Sequence, residues 1–197
     1  MRRGSLAPYI ILFSLLSLWS CKNENQEVLI VTELGDIIIE LYTEKAPVTA
    51  SNFLANCTAE IYTNAVFYRM VNLHNQPNNK VKIEVIQGGL YNDSVIEQFP
   101  VIAHETTQQT GIRHQDGTIS MARNEPGTAS TEFFICVGDQ PSLDFGGERN
   151  PDGEGFAAFG RVVSGMDVVR KIHARAGIDQ FPDEQVRIIE ITTDNNL

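Results

Sequence analysis

The sequence predicts a mainly β fold: an antiparallel barrel of about eight short strands with two α-helices as its caps. Three observations carry that expectation. Short apolar, β-branched and aromatic runs recur along the chain, separated by segments rich in Gly, Pro, Asn and Asp. Only two stretches keep a helical period, one early and one late. The runs are joined by turns or long loops, which favours antiparallel pairing over βαβ units. No internal repeat and no low-complexity tract interrupts this pattern.

Val28–Thr32 and Ile37–Leu41 flank Leu34-Gly35-Asp36 and read as a hairpin. Pro47 opens a helix, where its missing N–H costs nothing. Ala50, Phe53, Leu54, Cys57 and Ile61 recur at helical spacing, so one face of that helix packs on the sheet. Val66–Val71 is a strand. Asn72–Lys80, rich in Asn and holding Pro77, is a loop, and Val81–Ile86 alternates as a further strand, with Gly88-Gly89 read as a tight turn. Pro100–Gln115 is polar and irregular. Gly117–Ala122 is a short strand, Phe145–Gly155 a Gly-rich loop and Phe156–Val163 a strand. Met166, Val168, Val169 and Ile172 mark the second helix, and Val186–Ile191 closes the chain as a strand.

The run Thr131–Val137 is the most informative strand. Side chains alternate along it, so Phe133, Ile135 and Val137 share one face while Phe134 and Cys136 share the other. Both faces are apolar and both need cover. In a barrel one face fills the interior, and an aromatic on the outer face needs a groove, a helix or a ligand. An apolar floor with a few polar donors nearby, such as Arg69 and Gln87, suits a small-ligand or peptide pocket.

The ends and the composition narrow the function classes. Residues 1–20 read as a signal peptide: Arg2 and Arg3, then an apolar stretch too short to span a bilayer comfortably. Leu18-Trp19-Ser20-Cys21 resembles a lipoprotein cleavage box, which makes Cys21 the expected lipidation site. Residues 21–27 are then a polar tether and 28–197 the folded domain, long enough for a substantial core. The expected location is outside the cytoplasm, anchored by lipid to a bacterial membrane on its periplasmic side or at the cell surface. Loss of Arg2 and Arg3 with the leader takes the net charge from −10 to −12. That argues against nucleic-acid binding, which needs a basic surface. A monomer is the default expectation. Cys57 and Cys136 are expected as buried, unpaired thiols acting as small hydrophobes. His74, His104, His114 and His173 lack metal-ligand spacing, and Asn150–Gly155 lacks the spaced ligands of a calcium loop. No metal and no cofactor is expected.

Read together, these pieces resemble a cyclophilin-type peptidyl-prolyl isomerase over about residues 28–192. The resemblance rests on Gly35-Asp36-Ile37, Ala46–Phe53, Phe67-Tyr68-Arg69, Gln87-Gly88-Gly89, Gly117–Ala122, Phe133-Phe134-Ile135 and Phe159–Val163 leading to Gly165-Met166. These occur in family order, and an ordered set is far more specific than any one piece. The resemblance implies a closed eight-stranded barrel with two capping helices, and proline-containing unfolded or exported polypeptides as substrates. It also makes cyclosporin-like cyclic peptides candidate ligands. By the same resemblance Arg69 is the catalytic guanidinium and Gln87 orients it and the substrate backbone. Phe134 floors the proline pocket, Leu143 borders it, and Ala122 and Asn124 contact the residue before proline.

The chain departs from the family pattern at several of these positions. Glu84-Val85 replaces a Phe-Met pair, Arg123 stands where Asn usually follows Met-Ala, Ser142 replaces a Trp, and Phe156 replaces a His. Val85, Arg123 and Phe156 are still expected to line the substrate pocket. The Asn72–Lys82 stretch lengthens the connection from Arg69 to Gln87. The alternative these changes leave open is a proline-peptide binding module or chaperone with little turnover.

Overall fold

The structure, a computed structural model, describes residues 26–193. The expected leader, Cys21 and most of the tether lie outside the described residues. Among the described residues eight strands close into one antiparallel barrel: β1 (Gln26–Thr32), β2 (Gly35–Leu41), β3 (Val66–Val71), β4 (Val85–Gly89), β5 (Thr118–Met121), β6 (Phe133–Cys136), β7 (Ala157–Ser164) and β8 (Val186–Thr193). Around the wall the order is β1-β2-β7-β5-β6-β4-β3-β8, so the first strand meets the last. The helices are α1 (Pro47–Thr58), the single turns α2 (Asp93–Ile96) and α3 (Thr107–Thr110), and α4 (Met166–His173).

Alternation fills the barrel. Val28, Ile30, Ile37, Ile39 and Leu41 point inward and are fully buried, while their neighbours along β1 and β2 are partly exposed. Phe53 of α1 is the hub of the core. Its ring lies 5.2–5.5 Å from those of Tyr62, Phe133 and Phe159. The Tyr62 hydroxyl donates to the Thr131 carbonyl at 2.7 Å, so burial leaves its polar tip satisfied. Helix α1 packs on β7 and β8, and α4 on β2, β3 and β4 through Val168, Val169 and Ile172. Pro47 sits at the start of α1 as expected, but the orphan N–H groups there are met from a distance. The Glu105 carboxylate accepts from the backbone of Val48 and Thr49 and from the Thr49 hydroxyl, at 2.6–3.2 Å. Cys57 and Cys136 are buried free thiols.

Three local expectations are corrected. Residues 81–84, expected in a strand with Val85 and Ile86, lie outside it, and β4 begins only at Val85. Side chains take the backbone groups that a ladder would need. The Gln76 amide donates to the Ile83 carbonyl at 2.8 Å and accepts from its N–H at 3.3 Å, while Arg149 takes the Val81 carbonyl at 2.6 Å. Gly88-Gly89, expected as a tight turn, is the end of β4. Glycine is needed there for close approach: a Cβ at Gly88 would sit 2.8 Å from the Phe67 ring, and one at Gly89 would overlap the Glu132 carboxylate. The segment expected to be irregular between Pro100 and Gln115 holds α3, one turn closed by a Thr106/Gln109 capping box and a left-handed Gly111.

Candidate active site

Strand β6 divides the apolar residues of the domain as its alternation requires. Phe133 and Ile135 join the barrel core, while Phe134 and Cys136 join a second cluster with Val71, Ile83, Val85 and Leu143 on the outer face of the wall. The register carries that face sideways. Arg69 stands opposite Gln87 across β3 and β4, Gln87 opposite Phe134 across β4 and β6, and Phe134 opposite Ser120 across β6 and β5. At about 4.8 Å per strand, Arg69 and Phe134 are ~10 Å apart along this row, within reach of an extended guanidinium.

A bulge aims Arg69. The register shifts between Phe67 and Arg69, which leaves Tyr68 unopposed. Phe67 and Met70 therefore point into the core while two consecutive residues, Tyr68 and Arg69, line the same outer cleft. The cleft has a volume of about 370 Å³. All nine residues expected at the site line it: Arg69, Gln87, Val85, Ala122, Arg123, Asn124, Phe134, Leu143 and Phe156.

Arg69 is half-buried and held by two amides. Its Nη1 donates to Gln87 Oε1 at 2.8 Å, and its Nε and Nη2 both donate to Gln180 Oε1 at 2.8 and 2.6 Å. A guanidinium has five N–H donors, so three bonds leave two free to act on a ligand. Arg69 makes no ion pair with any described carboxylate. Burial lowers its pKa, opposed by the neighbouring Tyr68, yet an arginine stays charged at any physiological pH. Gln87 in turn donates from Nε2 to the Tyr68 hydroxyl at 2.5 Å.

Phe134 is clamped from two sides. His114 stacks on it with centroids 5.9 Å apart and planes 14° apart, and Phe156 meets it edge-on at 5.2 Å. His114 Nδ1 donates to Asp144 Oδ1 at 2.8 Å, the oxygen that also accepts the His114 backbone N–H at 3.0 Å. Its Nε2 then accepts from Ser120 Oγ at 3.0 Å. Burial lowers the His114 pKa against the pull of Asp144, which favours this neutral tautomer. These are the distances of a Ser-His-Asp relay, but Ser120 is fully buried. No substrate carbonyl reaches it, and the three groups serve as a brace behind the ring.

Other residues take parts that the sequence did not disclose. Ile83, directly after the Asn72–Lys82 stretch, is buried against Val85 and Phe134 and supplies apolar surface that Val85 alone lacks. Arg149 joins that segment to the Gly-rich loop through Gln76 Oε1 at 3.0 Å and the Val81 carbonyl. Arg123 lines the cleft, but its guanidinium is committed. It grips Asp152 with two bonds of 2.9 and 3.0 Å, donates to the Gly155 carbonyl, and lies 5.2 Å from the Phe156 ring centroid. Arg123 therefore shapes the wall by fastening the 150–156 loop. Ala122 and Asn124 sit at the rim, where Ala122 N–H donates to the Glu132 carbonyl. Only Glu132 carried a usable signal, since alternation puts it on the Phe134 face. The bulge at Tyr68 and the distant Gln180 carried none.

The family model for cyclophilin-type peptidyl-prolyl cis-trans isomerases matches residues 27–193. The chain is 35% identical over 167 residues to peptidyl-prolyl cis-trans isomerase B of Escherichia coli, covering 82% of this chain and 95% of that one. It is 34% identical over 173 residues to a peptidyl-prolyl cis-trans isomerase of Acinetobacter baylyi, covering 85% of each. Among solved structures it is similar in fold to a cyclophilin-type isomerase of Cryptosporidium parvum crystallised in the presence of the dipeptide Ala-Pro. The TM-score is 0.66 at 21% identity, covering 85% of this chain and 98% of that one.

Proposed function

Since the chain belongs to the cyclophilin-type peptidyl-prolyl cis-trans isomerases and is one of these enzymes, we propose that it turns X–Pro bonds in the outer cleft, with Arg69 as the catalytic group. The observation that carries this reading is an unpaired guanidinium with two free donors facing an apolar cup floored by Phe134. Rotation about the imide must break amide resonance against a barrier of ~18–20 kcal/mol. No bond to another atom forms or breaks, so the protein must only favour the twisted geometry. As conjugation is lost, the prolyl nitrogen gains a lone pair. A free N–H of Arg69 then donates to that nitrogen, an interaction that exists only in the transition state. Gln87 and Gln180 hold the guanidinium plane in advance, so little reorganisation accompanies the turn. Phe134, Val85, Ile83, Leu143 and Phe156 hold the ring and exclude water, and the dry surroundings favour the less charge-separated twisted amide.

A protease-coupled assay on a short Ala-Pro peptide tests the reading. The expected result is clear acceleration of cis-to-trans conversion by wild-type protein. Binding of the peptide with no acceleration would instead mark a binding module. The filling of the cup by Ile83 supports turnover despite the small Val85.

The same proposal places the enzyme outside the cytoplasm on a lipid anchor at Cys21, acting on exported polypeptides. It is supported by Arg2 and Arg3, the short apolar stretch and the Leu18–Cys21 box. Expressed in a bacterium, the full chain is expected in the membrane fraction with palmitate label incorporated. Cys21→Ser should lose the label and become soluble, and label retained in that variant would refute the assignment.

A further inference from the structure

Behind Gln87 the hydrogen bonds continue to a carboxylate that the mechanism has not used. Glu132, 9% exposed, immediately precedes β6, two residues ahead of Phe134. Its Oε1 accepts the Leu90 N–H at 2.7 Å and the Thr131 hydroxyl at 3.2 Å. Its Oε2 is buried and makes no hydrogen bond of its own, although the Tyr68 hydroxyl is close enough to affect its ionisation. Gly89 lacks the Cβ that would push this carboxylate out.

The Tyr68 oxygen already accepts from Gln87 Nε2, so its own proton must point elsewhere. The Glu132 carboxylate lines the same cleft as Tyr68 and Gln87, and its unpartnered Oε2 is the acceptor open to that proton. An ionised carboxylate can only accept, and that restriction travels down the row. Tyr68 must donate to Glu132, its oxygen must accept from the Gln87 amide nitrogen, and the Gln87 carbonyl must face Arg69 Nη1. We propose that Glu132 is a positioning residue: its carboxylate, acting through the Tyr68 hydroxyl, fixes the orientation of Gln87 and thereby of Arg69. The proposal rests on the reading of Arg69 as the catalytic group.

A Gln at position 132 removes the restriction. Its amide N–H would donate to the Tyr68 oxygen and free the tyrosine proton to compete with Arg69 for the Gln87 carbonyl. Protonation of Glu132 has a similar effect, because the acid becomes a donor. Burial raises the Glu132 pKa, offset in part by the nearby Tyr68 hydroxyl and the Leu90 N–H. The orienting form is thus lost as pH falls, at a higher pH than for an ordinary glutamate. The titratable and charged groups around it are Tyr68 from β3, Tyr62 from the segment after α1, Asp93 from α2 and, beyond Gln87, Arg69. Burial raises both tyrosines, which leaves them neutral across this range.

The test is kcat and KM for an Ala-Pro peptide against pH, in wild type, Glu132→Gln, Tyr68→Phe, the double variant and Arg69→Ala. Glu132→Gln and Tyr68→Phe should each lower kcat about tenfold with KM within about twofold, and the double variant should be no worse than the weaker single. The acid limb of wild-type kcat should disappear in Glu132→Gln. A measurement on wild type alone guards against misfolded variants: the Gln87 side-chain amide and Arg69 Nε–H resonances should titrate with the kcat midpoint. Additive losses, an acid limb that survives Glu132→Gln, or resonances that do not move would overturn the role of Glu132 while leaving that of Arg69 intact. Full activity in Arg69→Ala would overturn both.

Discussion

Replacement of Arg69 by Ala is expected to lower kcat/KM for an X–Pro peptide by about 10²–10³, while thermal unfolding shifts little. The removal of one preorganised donor aimed at developing charge costs roughly 3–4 kcal/mol of barrier, which is that fold-change. The three bonds to Gln87 and Gln180 disappear with it. Both amides belong to half-buried residues, so water can replace the lost partner, and removal of a half-buried cation with no counter-ion recovers its desolvation cost. Stability should therefore change by no more than ~1–2 kcal/mol. Arg69→Lys should rescue little. A single ammonium cannot reach Gln87 and Gln180 together and still present a donor to the imide. The peptide assay and scanning calorimetry decide the matter, and activity within threefold of wild type would sink the assignment.

The second large effect separates neighbours. Phe133→Ala should destabilise the domain by about 3–5 kcal/mol, because it removes a ring that contacts Phe53, Tyr62 and Phe67 in the barrel interior. At temperatures where it is folded, its kcat/KM should stay near wild type. Phe134→Ala removes the floor of the cup. It should lose about 10²-fold or more in kcat/KM, with a smaller loss of stability because one side of the ring borders the cleft. Urea unfolding and peptide kinetics on both variants check the contrast. Equal kinetic losses at the two positions would contradict the division of β6 into a core face and a substrate face.

That division was legible in the sequence, because strand alternation is local and obligatory. The strand set, both long helices and the nine expected cleft residues followed from the same kind of signal together with the family resemblance. What stayed hidden depends on contacts made at long range. Residues 81–84 alternate like a strand, but Gln76 and Arg149 claim their backbone groups, and periodicity does not report a competitor. Gly88-Gly89 has the composition of a turn, whereas the Phe67 ring and Glu132 carboxylate explain why a strand needs glycine there. The bulge that turns Tyr68 to the cleft, and the reach of Gln180 across 111 positions to Arg69, appear only once the chain is folded.

The seam of the barrel sets when this enzyme begins to exist. Val28 through Thr32 pair with Thr193 through Ile188, so the earliest strand made waits for the latest. A nascent chain leaving the ribosome carries β1 and β3 with bare edges until β8 has emerged, and Gln180, which clips Arg69, lies just ahead of that strand. A copy cut short before this stretch has its arginine, Gln87 and its pocket aromatics, but neither the strand that closes the wall nor the second amide on Arg69.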